Sequence, residues 1–175
     1  MAVVKHKDQR VAVLVDVQNL YHSAKNLYNA RVNFKEILKT AVGPRRLIRA
    51  TAYVVKTEAQ EEKYFFDALS KSGFEVKTKD LQIFPGGMKK GDWDVGIAVY
   101  AIRFAELIDA LIIVTGDGDF VPLVEYLRLN RGVQTEAMAF GRSASARLKE
   151  AVDDFIDMGD DKSKYLRKIR TSQKK

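Results

Sequence analysis

Two runs of this chain leave few folds open to it. Residues 11–16 read "VAVLVD" and residues 110–115 read "ALIIVT". Both are apolar almost throughout and rich in β-branched side chains. A strand with one wet face alternates apolar and polar residues; an unbroken run of this kind is covered on both faces, as in a parallel sheet between helices. Both runs also stop at acids. Asp16 closes the first, and "VTGDGDF" puts Asp117 and Asp119 just past the second.

The rest of the chain alternates to match. Residues 19–29 read as a helix with Leu20, Ala24, Leu27 and Tyr28 on one face. A short helix over 33–42 is capped by Asn33 and stopped at Gly43-Pro44. Strand patterns fall at 47–55, 74–80 and 133–140, the middle one more exposed than the others. Helical patterns fall at 58–73, 93–106, 120–130 and 143–155, and the first of these ends at Gly73. Residues 81–92, "LQIFPGGMKKGD", read as a Gly- and Lys-rich loop or flap. Strands that alternate with helices build βαβ units. The expected architecture is α/β: three layers, with a central, mostly parallel sheet of about five strands. One domain spans 1–161.

Charge sharpens the boundary. The net charge is +7, yet the last fourteen residues hold seven lysines and arginines and no acid, which leaves 23 basic against 23 acidic residues before them. Residues 162–175 therefore read as a basic tail, either solvated or following nucleic-acid phosphates. There is no cysteine, which removes disulfides and thiol chemistry. No run is long and apolar enough to span a bilayer, and no signal peptide is visible. A cytoplasmic location without membrane attachment is expected.

Sites in open parallel sheets form beyond the carboxyl ends of the strands. Asp16, Asp117 and Asp119 all point there. So does Asp94, in the first turn of the helix that feeds the run at 110–115. If those two strands are neighbours, the four acids converge. Two like charges about 4 Å apart repel by roughly 4 kcal/mol at an effective dielectric near 20. Several such pairs call for protonation or for a cation, and oxygen-only ligands favour Mg2+ or Mn2+. Helix capping is the competing account: it suits Asp119 well, Asp117 partly, and Asp94 as a first-turn acid. For Asp16 it offers only that Asn19 caps the following helix. The two histidines, His6 and His22, read as ordinary surface.

The motifs "VDVQN", "KKGDWDVGIAVYA" and "TGDGDFVPLVEYLR", in that order, resemble the NYN domain, in particular its bacterial LabA-like branch. The resemblance covers residues 11–158. It implies a fold similar to PIN-domain and flap-nuclease domains, which cleave nucleic acids with metal held by clustered aspartates. By position, Asp16 matches the first-strand acid of the family and Asn19 the polar residue after it. Asp94 matches the acid of a Lys-Gly-x-Asp stretch, although Asp92 and Trp93 both stand between Gly91 and Asp94 here. Asp117 and Asp119 match the Thr-Gly-Asp-x-Asp-Phe pattern, with Thr115 in the hydroxyl position.

The resemblance implies metal-assisted hydrolysis of RNA phosphodiesters, with single strands favoured. Asp16, Asp94, Asp117 and Asp119 would be catalytic. The first three are the preferred ligands of Mg2+ or Mn2+, while Asp119 binds through water or orients the nucleophile. Asn19 and Thr115 would support them from behind. Lys89 and Lys90, or a solvated loop in their place, and Arg142 and Ser143 at the start of the last helix, or plain capping there, are the substrate-contact candidates. Trp93 either stacks on a base or anchors its helix, and Arg103 has no assigned role. A homodimer is compatible with the sequence. The alternative is a non-catalytic RNA- or protein-binding regulator of the same type. A haloacid-dehalogenase-type phosphatase fits poorly, because it needs an acid two residues after Asp16 and the chain has Gln18. A receiver-like phosphoacceptor lacks its late lysine.

Overall fold

In the computed structural model, residues 3–57 and 62–169 are described. The chain opens with β1 (Arg10–Asp16), α1 (Val17–Tyr28), the short β2 (Ala30–Val32) and α2 (Phe34–Val42). It continues through β3 (Arg46–Lys56), α3 (Glu62–Lys71) and β4 (Glu75–Asp80). A two-stranded hairpin, β5 (Gln82–Ile83) and β6 (Lys89–Lys90), occupies the expected loop. Then come α4 (Asp94–Phe104), β7 (Ala110–Val114), α5 (Val121–Arg131), β8 (Gln134–Ala139), α6 (Ala146–Ala151) and β9 (Asp154–Asp157). A single-turn α7 (Lys162–Tyr165) and β10 (Leu166–Lys168) close the described chain. The expected helix start at 58–61 lies outside the described residues.

Six strands form one parallel sheet in the order β4-β3-β1-β7-β8-β9. The molecule is the α/β sandwich expected, with helices on both faces. The chain winds outward from β1 through β3 to β4, then returns to the other side of β1 and winds outward again from β7. The reversal therefore lies between β1 and β7, which pair from Val11↔Ala110 to Val15↔Val114.

The unbroken apolar runs follow from two cores. Val11, Val13 and Val15 of β1 pack with Leu20, Ile37, Leu69 and Tyr165, so α1, α2, α3 and α7 share one face. Ala12 and Leu14 point the other way, onto Ile97, Leu127 and Leu148 of α4, α5 and α6. Every residue from Val11 to Val15 is fully buried. Burial of one such Val or Leu side chain contributes about 1.5–3 kcal/mol, so a polar residue anywhere in this run would be costly.

Two differences from the sequence reading have tertiary causes. The last helix is six residues long rather than thirteen; the chain turns extended at Val152 and Asp154–Asp157 pairs with β8 as a sixth strand. Asp153 helps redirect it by accepting from the Thr135 backbone N–H at 2.8 Å. The expected tail is also folded through Lys168. Leu166–Lys168 pairs antiparallel with Ala30–Val32, and Tyr165 is 4% exposed, with its hydroxyl 3.1 Å from Thr40 Oγ1. Residues 170–175 lie outside the described chain.

Candidate functional site

The carboxyl ends of β1 and β7 meet where the sheet reverses, and this junction builds the site. Asp16 ends β1 and caps α1: its Oδ1 accepts from the Asn19 backbone N–H at 3.2 Å. The competing capping account gave that role to Asn19. Asn19 instead reaches across to the neighbouring strand, where its Oδ1 accepts from the Gly116 N–H at 3.0 Å. Thr115, fully buried, is the second tie. Its Oγ1 lies 3.4 Å from Asp16 Oδ2 and accepts from the Asp117 N–H at 3.2 Å. Asn19 and Thr115 therefore fix the two strand ends, and their acids, relative to each other.

Asp117 in turn caps the short 3-10 turn Gly118–Phe120; its Oδ1 accepts from the Asp119 N–H at 2.9 Å. Pro at the start of α5 then carries the chain away. Gly116 is needed for packing: a Cβ there would lie 2.9 Å from Ala144 Cα, a backbone atom that cannot yield. A side chain at 116 would push the whole Asp117–Asp119 turn outward.

Asp94 arrives from the N-terminus of α4, where its N–H donates to Asp92 Oδ1 at 3.3 Å. Trp93 is pinned behind it. Its Nε1 donates to the Val54 carbonyl at 3.0 Å and its ring sits 5.2 Å from that of Tyr53. Gly96 makes this possible, because a Cβ at 96 would meet the Trp93 ring at 2.5 Å.

The result is an acidic cup. Asp94, Asp117 and Asp119 each offer a carboxylate oxygen within 4.8 Å of the others. Asp16, Asp94 and Asp117 line a cavity of about 330 Å3, together with Asp92, Asn19, Tyr53 and Trp93, while Asp119 is exposed beside it. Asp16 and Asp94 both feel the crowding. Burial pushes the Asp16 carboxyl above its ordinary value; the Asn19 N–H and the Thr115 hydroxyl offset this in part, and Asp117 and Asp92 reinforce it. Burial, followed by the charges of Asp117, Asp92, Asp16 and Asp119, lifts Asp94 to about 6. The donors are all oxygen, and their span is one that a hard divalent ion with its water shell can bridge. The residues thus fit Mg2+ or Mn2+.

The cup places the candidate residues unequally. Asp119, expected to act at one remove, stands with Asp94 and Asp117 in one triad, while Asp16 lines the cavity outside that triad, with one oxygen on its cap. Ser143 lines the cavity, with its Oγ 3.0 Å from Ser23 Oγ. Lys89, Lys90 and Arg142 are exposed and are not among the cavity's lining residues. Gln18, His22, Ser23, Asn26 and Tyr53 do line it. The first four share a face of α1 at helical spacing, a signal that becomes readable only once Asp16 is known to begin that helix. Arg103, placed on a helix that reads as buried, is exposed.

No helix among the described residues is long and apolar enough to cross a membrane. The chain is similar to the "Low amplitude and bright protein LabA" of Synechococcus elongatus, 26% identical over 90% of this chain and 88% of that protein. It is also similar to a crystal structure of a protein of unknown function from Vibrio parahaemolyticus, with a TM-score of 0.84 and 30% identity over 94% of this chain and 100% of that one. The model of the NYN domain matches residues 10–159. With its parallel sheet, its acidic cup at the strand reversal and that match over most of its length, the chain belongs to the NYN domain family.

Proposed function

We propose that the protein is a divalent-metal-dependent ribonuclease that hydrolyses single-stranded RNA. The observation that carries this reading is the triad of Asp94, Asp117 and Asp119 within 4.8 Å, two of whose members, Asp94 and Asp117, line one cavity with Asp16. Such crowding is unfavourable without a cation. Asp94 reflects it, since burial and the neighbouring acids hold it protonated up to about pH 6.

Asp94, Asp117 and Asp119 would hold the ion, and Asp16 completes the set from the β1 side. A bound Mg2+ or Mn2+ supplies charge neutralisation at the scissile phosphate and activation of water for in-line attack. The chain supplies the positioning. Thr115 and Asn19 keep Asp16 and Asp117 from swinging apart as charge shifts. The cavity, walled by Tyr53 and Trp93 on one side and by the polar face of α1 on the other, has room for a nucleotide beside the acids.

The test is cleavage of mixed single-stranded RNA with Mn2+ by wild type, Asp16→Asn and Asp117→Asn. The expected result is cleavage by wild type and a loss of at least a hundredfold in both variants, with far-UV circular dichroism unchanged. Activity that survives both substitutions overturns the assignment. RNA binding without cleavage by wild type would make the protein a regulator that uses the same cup.

A further inference from the structure

Outside the cup, one surface sets a row of cations against aromatic rings. β4 is one of the two edge strands of the sheet, and on its face toward α4 the side chains are exposed or half-buried. Glu75, Lys77 and Lys79 point to that face, in register with Thr51, Tyr53 and Val55 of β3, and Arg49 lies two residues earlier on the same side of β3. The facing flank of α4 carries Trp93, Tyr100 and Phe104. Their rings hold the cations. Lys79 Nζ lies 5.3 Å from the Trp93 ring centre and Lys77 Nζ 4.5 Å from that of Tyr100. The Arg103 guanidinium lies 5.5 Å from the Tyr100 ring and that of Arg49 5.3 Å from Phe104. Glu75 is the one acid in the row, 3.3 Å from both Arg49 and Lys77.

The row has a direction. Lys79 Nζ donates to the Asp92 carbonyl at 2.9 Å, so its inner end touches the segment that delivers Asp94. Its outer end, at Arg49, lies further along the strands, and Glu75 to Lys79 alone spans about 13 Å. Long cationic side chains usually lose much rotamer freedom on binding a phosphate. Here aromatic faces already hold four of them in line.

We propose that the β4 face and the α4 flank form a phosphate-binding track that leads a single-stranded nucleic acid into the acidic cup. The track rests on the nuclease reading only for what happens at its inner end. Lysines on an edge strand also deter strand pairing, but that role explains neither Arg49 and Arg103 nor the alignment with Asp92.

The experiment separates the two claims. A 5′-labelled oligouridylate is titrated in EDTA, by fluorescence anisotropy, with the full chain carrying Asp117→Asn so that nothing is cut. On that background, Lys77→Gln/Lys79→Gln/Arg103→Gln is expected to weaken binding at least tenfold. It should also reduce the slope of log K against log salt by about 2, at roughly 0.7 for each phosphate of the single strand that is no longer neutralised. Glu75→Gln, which removes the one opposing charge, is expected to tighten binding several-fold, a gain that a purely edge-shielding role does not give. The charge-conserving Lys77→Arg/Lys79→Arg pair should keep the parent slope, which guards against misfolding as the cause. An unchanged affinity and slope in the triple variant, or no measurable binding by the parent at low salt, overturns the track. If binding depends on the track but wild type cuts no RNA with Mn2+, the nuclease reading fails and the track stands. If wild type cuts and the triple variant binds unchanged, the reverse holds.

Discussion

Asp94 carries a strong electrostatic conflict, set by burial and four neighbouring acids. Its folded pKa of about 6 lies above the ordinary value of 3.8. A raised carboxylate means that the folded state binds the proton more tightly than the unfolded state. The metal-free fold therefore loses stability from this group as pH rises from about 4 through 6, and the full cost is present at neutral pH. Asp94→Asn is expected to raise the metal-free Tm near pH 7.5, less near pH 4.5, and to change it little near pH 3. Mn2+ competes with the same proton, so its stabilising shift should be larger near pH 7.5 than near pH 5.5. Thermal melts at each pH, with and without Mn2+, check both; equal shifts at the two pH values would contradict the placement of the ion. Glu136 shows the opposite sign. Burial pushes it up, but Arg45 at 2.5 Å, with Gln134 and Lys5, holds it below its ordinary value. Its contribution is present above the unfolded value of about 4.5 and disappears as pH falls through the folded one. Both side chains of the pair are fully buried. Glu136→Gln strands the Arg45 charge and is expected to cost about 3–5 kcal/mol, read from the urea midpoint at neutral pH.

At the scale of elements, the strands and helices with strong local pattern form where the sequence places them: β1, β3, β7 and β8, and α2, α4 and α5. The exceptions are short pieces whose stability comes from a distant partner. β9 is four residues long, and nothing in "DFID" distinguishes it from a helix end; β8 supplies the hydrogen bonds that decide it. β10 is read as tail because lysine and arginine dominate it, yet it pairs with β2 and follows a buried tyrosine. Tyr165 joins the core of α1 and α2, and its carbonyl accepts from the Asn33 N–H at 2.8 Å. Tyr165→Ala is expected to cost about 3–5 kcal/mol, and removal of residues 162–175 at least as much. A truncated chain with an unchanged Tm would show that this pairing contributes nothing.

For the molecule as a whole, the site and the sheet are one construction. The cup exists because β1 and β7 are adjacent, and the same adjacency joins the two cores across fully buried strands. Unfolding is therefore expected to be cooperative. Trp93, the single tryptophan, stands at the wall of the cup, so its fluorescence and far-UV circular dichroism should report one transition. Mn2+ at about a hundred times its dissociation constant should move both by about 2.7 kcal/mol. A fluorescence change that precedes loss of secondary structure would mean that the site opens apart from the sheet.

By itself the sequence determined the layered parallel architecture, because unbroken apolar strands can only be covered on both sides. It also determined which acids stand at strand and helix ends, since such positions are local. Tertiary structure alone decided which strands are neighbours, and hence that Asp94, Asp117 and Asp119 form a close triad while Asp16 lines the cavity beside Asp94 and Asp117. It alone set four cations along the rings beside them. Such placements depend on contacts between residues far apart in the chain, which are settled by packing and not by any local pattern.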